Sequence, residues 1–198
     1  MGKIFCLIGK SSSGKDTIFK KILNELNMEL KPVVTYTTRP KRNHEVEGKE
    51  YYFINEEKVQ AYEKSGCLIE KRIYHTVDGD WIYCTVDDGQ FDLQKYSYLM
   101  IGTLEVYQSL QEFFGKRAIV PLYLHIDDGV RLERALFRER QQENPNYEEV
   151  CRRFLADSAD FSNAKLVKCG IDEHFQNHDL GECMKRIKAF ILEVIKNK

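Results

Sequence analysis

Short apolar runs alternate with stretches of helical period along this chain. Ile4–Ile8, Tyr98–Ile101 and Ile119–Ile126 are nearly unbroken apolar runs, and 174–176 is a shorter one. Such runs read as strands covered on both faces. Apolar positions recur every three to four residues over Asp16–Asn27, Leu104–Phe114, Gly129–Arg140, Tyr147–Ser162 and Leu180–Lys196, which predicts helices there. The last has Asp179 placed to cap its first turn and lysines near its end, as the helix dipole favours. Strand and helix in alternation make an α/β chain with a mainly parallel sheet. From Val33 to Thr85 the pattern changes. Alternating Tyr, Phe and Ile positions surround one short helix, Asn55–Ser65, which predicts an inserted β-rich lobe. The expected division is a core of residues 1–34 and 95–198 around a lobe of residues 35–94. Gln141–Asn146 is polar and aperiodic, a loop between two helices that carry arginines.

Composition narrows the function classes. A chain of 198 residues suits one α/β domain with a small insert, and 42% hydrophobic content supplies a sizeable core. Thirty basic against thirty-one acidic residues leave a net charge of −1, so no global field favours nucleic acid. The six cysteines lack metal-ligand spacing and are expected to be reduced thiols. No apolar run reaches membrane-spanning length, and the start reads as a strand and loop rather than a signal peptide. The expectation is a soluble, cytoplasmic protein with neither nucleic-acid nor membrane partners.

Directly after the first strand comes Gly9-Lys-Ser11-Ser12-Ser13-Gly14-Lys15-Asp16-Thr17. Glycines let successive backbone N–H groups converge on one anion. The following helix adds its positive end, and Lys15 adds a full charge toward the β- and γ-phosphates. This is a phosphate-binding loop. The usual pattern sets a metal-binding hydroxyl immediately after the lysine; here that position is Asp16, and the hydroxyl follows at Thr17.

A second constellation lies in the inserted lobe. Thr35-Tyr-Thr-Thr-Arg39-Pro-Lys-Arg42 leads into Glu45-Val-Glu-Gly48-Lys-Glu-Tyr51-Tyr-Phe53, followed by Leu68-Ile69-Glu70 and Tyr83-Cys84-Thr85. Two arginines three apart can converge on a phosphate, and the Tyr51 and Tyr83 phenols can complete its shell. The Glu70 carboxylate complements the N1–H and N2–H₂ donors of guanine, and the Thr35 and Thr85 hydroxyls can bond the remaining polar atoms of the base. A polar site of this kind rejects a mismatched base strongly, because buried groups are left unpaired. With the glycine loop, these segments resemble the guanylate kinase family of nucleoside monophosphate kinases. His44 stands where that family has glycine.

The resemblance implies a P-loop NTPase fold with a helical lid at about residues 134–153, ATP and Mg²⁺ as cofactors, and GMP or dGMP as acceptor. It implies ATP contacts from the loop and from Asn177, and catalytic roles for Lys15 and for lid arginines, namely Arg138, Arg153 and Arg140 as a substitute for either. Arg134 shares a helix face with Arg138. The pattern departs in the third strand. The family's acidic segment there is replaced by Tyr98-Leu-Met-Ile-Gly102-Thr103-Leu-Glu105. Asp16 is therefore the first candidate for placing Mg²⁺, with Glu105 in reserve. Transfer of phosphate from ATP to GMP is the main expectation. The alternatives are a P-loop kinase of another nucleotide or phosphorylated sugar, and a nucleotide-binding module without turnover.

Overall fold

The computed structural model describes residues 1–25, 29–42, 45–76 and 79–197. Its centre is a five-stranded, wholly parallel sheet. β1 (Ile4–Ile8) leads through the glycine loop into α1 (Lys15–Leu23), and β2 (Leu30–Pro32) lies at one edge. The second sheet then intervenes. It comprises β3 (Tyr36–Thr37), β4 (Tyr52–Phe53), α2 (Glu56–Ser65), β5 (Leu68–Thr76) and β6 (Gly79–Val86). The chain returns as β7 (Ser97–Ile101), α3 (Leu104–Phe114), a 3₁₀ turn, and β8 (Ile119–His125). It ends with α4 (Asp128–Glu139), α5 (Tyr147–Asp160), α6 (Asn163–Lys168), β9 (Phe175–Gln176) and α7 (Leu180–Lys196). Strand order in the parallel sheet is β2-β7-β1-β8-β9.

The period of two explains why this sheet needs covering on both faces. In β1 all five side chains have 0% exposure. Ile4, Cys6 and Ile8 join Tyr98, Met100 and the α3 residues Val106, Tyr107 and Leu110 on one side. Phe5 and Leu7 join Leu99, Leu122 and Leu124 on the other, against Ile18 and Ile22 of α1 and Ile187 and Ile191 of α7. The loop after β1 therefore stands on the most deeply buried strand.

The second sheet runs β4-β3-β6-β5, with β5 and β6 an antiparallel hairpin. One face is apolar, where Tyr36, Cys84 and Val86 pack on Val59 of α2. Alternation sends Glu70, Arg72, Tyr83 and Thr85 to the opposite face, with Glu70 paired to Thr85 and Arg72 to Tyr83 across the ladder. Ile69 packs against the core of the parallel sheet and so joins the two.

α3 and α7 have the bounds their periodicity predicts. Asp179 caps α7 by accepting from Glu182 N–H at 2.8 Å. α1 stops at Leu23, before the expected 27; residues 26 and 27 lie outside the described set. β2 and α6 are additions to the sequence reading. All six cysteines are free, with Cys6, Cys84 and Cys183 buried and Cys151 exposed.

Candidate active site

The glycine loop is built by packing from below. A Cβ on Gly9 would lie 2.6 Å from the Leu124 carbonyl, so glycine is needed where the loop leaves the sheet. Gly14 adopts φ +95°, and a side chain there would collide with the Asn177 amide. Asn177 is 3% exposed and donates from Nδ2 to the Ser13 carbonyl at 2.7 Å. It thus sits beneath the loop and shapes its main chain. Its own N–H donates to the His125 carbonyl at 2.8 Å, which ties this support to the end of β8. Ser13 Oγ is buried and has no hydrogen-bond partner among the described residues.

Lys15 opens α1 and folds back over the loop, donating to the carbonyls of Gly9 at 2.6 Å and Lys10 at 2.9 Å. Burial pulls its pKa down to about 8, and the nearby Arg138 and Arg153 charges act in the same direction. Asp16 and Asp157 oppose them. Asp16 and Thr17 are exposed in the first turn of α1.

Two lid arginines reach the loop. Arg138 of α4 donates to Ser12 Oγ at 2.7 Å, and Arg153 of α5 donates to Ser11 Oγ at 3.3 Å. Arg140 lies at the C-cap of α4, exposed, and makes no hydrogen bond to the loop among the described residues. The sequence reading did not single out the group that anchors these helices. Arg131 is 2% exposed, donates from Nε to Asp128 at 2.6 Å and from NH1 to Asp157 at 3.2 Å, and stacks on Phe154. Asp157 also accepts the Ser11 N–H at 2.8 Å, while Lys10 pairs with Asp128 at 3.0 Å. Two carboxylates thus link the phosphate loop to both lid helices through one buried guanidinium.

On the polar face of the second sheet, Arg39 is 4% exposed and grips Glu45 with both arms, at 3.0 and 2.7 Å. Its Nε donates to the Tyr83 hydroxyl at 3.1 Å. Hydrogen bonding from Arg39 holds the Glu45 carboxyl down at about 2. Thr37, bonded to the Ile82 carbonyl, accepts the Arg39 N–H and fixes the backbone there. The Arg42 side chain is exposed, and its N–H donates to Glu45 at 2.8 Å. The Tyr51 and Tyr83 rings meet edge to face at 5.6 Å, and burial raises the Tyr51 pKa. Glu70 is 8% exposed and accepts from Thr85 Oγ1 at 2.7 Å and from Arg72 Nε at 2.9 Å. Thr35 is half-buried, and its carbonyl accepts from Tyr52 N–H at 2.9 Å. His44 lies outside the described residues.

Glu45, Thr37, Arg72, Arg131 and Asp157 therefore belong to the site although sequence reasoning gave them no role. Glu45 lies within a motif, but its ion pair is with Arg39, six residues earlier, while Arg42 gives it only a main-chain N–H, so no helical spacing announced the pair. Asp157 carried no signal either, since its partner Ser11 is 146 residues away.

Comparison with known proteins agrees with this geometry. The family model described as guanylate kinase matches residues 1–85. The guanylate kinase of Ehrlichia ruminantium (strain Gardel) is 42% identical over 210 aligned positions, covering 98% of this chain and 88% of that protein. That of Porphyromonas gingivalis is 24% identical, covering 98% of this chain and 99% of that protein. Among solved structures, a guanylate kinase from Anaplasma phagocytophilum shares the fold at a TM-score of 0.64 and 24% identity, covering 97% of this chain and 85% of that one. With 42% of positions identical to the Ehrlichia guanylate kinase across 98% of its own length and 88% of that protein's, the chain belongs to the guanylate kinase family.

Proposed function

We propose that the protein transfers the γ-phosphoryl group of ATP to GMP or dGMP, giving ADP and the nucleoside diphosphate. The observation that carries this is the meeting of Lys15, Arg138 and Arg153 over the Gly9–Thr17 loop. Phosphoryl transfer asks little covalent chemistry of a protein. It asks for charge on an in-line group and for exclusion of water. In this reading the loop N–H groups hold the β-phosphate, and Lys15 leaves its two carbonyls for the phosphates. Arg138 and Arg153 leave the serine hydroxyls for the transferring group. Asn177 serves ATP through the loop it supports. Arg140 stays a substitute for the other two.

The lobe of residues 35–94 takes the acceptor. Arg42, Tyr51, Tyr83 and the remaining donor of Arg39 hold its phosphate. Glu70, Thr35 and Thr85 read its base.

Magnesium belongs to this proposal. No group of three or more His, Cys, Asp or Glu side chains gathers for a metal among the described residues. That suits Mg²⁺, which keeps its waters and binds through one or two protein oxygens plus substrate phosphates. Asp16 and Thr17 offer hard, exposed oxygens beside Lys15 and fit that need. When bound, the ion would neutralise phosphate charge. No helix among the described residues is long and apolar enough to cross a membrane, and we place the reaction in the cytoplasm.

β7 is followed by Gly102-Thr103, with no aspartate where the family has its acidic segment. That observation favours a second reading, in which the same fold phosphorylates another acceptor. One assay separates them: ADP release from ATP and Mg²⁺ over a panel of nucleoside monophosphates and phosphorylated sugars. GMP-dependent release is expected. Release with a different acceptor alone would move the assignment to the second reading.

A further inference from the structure

Arg72 lies against Glu70, the carboxylate proposed to read the base. It lies two residues after Glu70 on the same face of β5, opposite Tyr83. Its side chain is mostly buried, at 19% exposure against 5% for Glu70. Nε approaches Oε2 at 2.9 Å, and NH2 approaches Oε1 at 3.5 Å, so one edge of the guanidinium lies along both carboxylate oxygens. Thr85 takes a further position on Oε1.

The chemistry of that edge is informative. Guanine shows a carboxylate two parallel donors, N1–H and N2–H₂, joined through one sp² carbon. The Nε–Cζ–NH2 edge of arginine shows the same pair with the same connectivity. Glu70 therefore already holds an internal copy of the group it is expected to recognise. Burial disfavours the Arg72 charge, but the Glu70 carboxylate more than offsets this and keeps the guanidinium ionised.

We propose that Arg72 competes with guanine for Glu70 and thereby lowers the site's preference for guanine, so that acceptor binding requires it to give up this edge. The inference rests on the guanylate reading of the site. Two consequences follow. Binding of a 2-amino-6-oxopurine nucleotide is weaker than an unoccupied Glu70 would allow. A 6-aminopurine nucleotide, which has no such donor pair, gains nothing from displacing Arg72.

The test is calorimetric titration of the whole chain with GMP and AMP. The wild type is compared with Arg72→Met, which keeps the apolar stem, and Arg72→Lys, which keeps the charge without the planar edge. Circular dichroism of each variant checks folding. Arg72→Met is expected to bind GMP about tenfold more tightly or better, the scale of one charged hydrogen bond no longer contested. AMP affinity stays unchanged, and Arg72→Lys falls between. A gain is a readout that damage to the fold does not produce. If the wild type binds GMP and folded Arg72→Met binds it equally or more weakly, the inference is overturned, and Arg72 is a support for Glu70. A gain shared equally by AMP overturns it too. If neither protein binds GMP, the guanylate reading itself falls, and the inference with it.

Discussion

Lys15 shows what a single residue contributes and where it is vulnerable. Its ammonium is held by two loop carbonyls in a buried setting, and its pKa is lowered to about 8 from an ordinary 10.5. Polyphosphate binding needs the protonated form. Above this pKa the free protein must take up a proton to bind, so affinity falls as pH rises through about 8. ATP titrations on either side of that pH are expected to show the decline. Lys15→Arg, which keeps its proton, should bind with a flat profile over the same range. A wild-type affinity that is level through this region would mean that Lys15 stays charged without its phosphates.

At the scale of elements, α4 and α5 are held to the glycine loop by ions and hydrogen bonds. Arg131 is buried between Asp128 and Asp157. Removing one partner of a buried pair costs about 3–5 kcal/mol, and the low end applies here because Asp128 remains. Asp157→Ala is therefore expected to lower unfolding stability in urea by about that amount. The double variant Arg131→Met with Asp157→Leu should lose less, since no unpaired charge is left behind. Equal losses would mean that the pair does not couple.

The elements also show what was legible beforehand. α3 and α7 carry a clear helical period and were read to their bounds. β2 has three residues and ends in Pro32 at a sheet edge, so no period existed to read. α6 is a six-residue helix with the same difficulty. In the site, local motifs such as the glycine loop and the Arg39–Arg42 segment were readable. The Asp157–Ser11 and Arg131–Asp157 contacts were not, because tertiary packing alone brings those partners together.

For the whole molecule, two sheets of unequal burial imply two levels of stability. β1 is sealed on both faces, whereas the second sheet packs on one face and carries ion pairs on the other. Amide hydrogen exchange should be slowest in β1, β7 and β8 and faster in β5 and β6. GMP is expected to slow β5 and β6 while leaving β1 unchanged. Equal exchange in both sheets would indicate one cooperative unit.

Unequal burial also sorts the six thiols by reactivity. Burial pushes Cys6 and Cys84 up to about 12 and Cys183 up to about 11, so their thiolates are scarce at neutral pH. Cys151 stands exposed on α5, two residues before Arg153. A maleimide dye added briefly would therefore attach there ahead of the half-buried Cys67 and Cys169 and the three buried thiols, without mutagenesis. Its emission would follow that helix in real time as nucleotide arrives and product leaves.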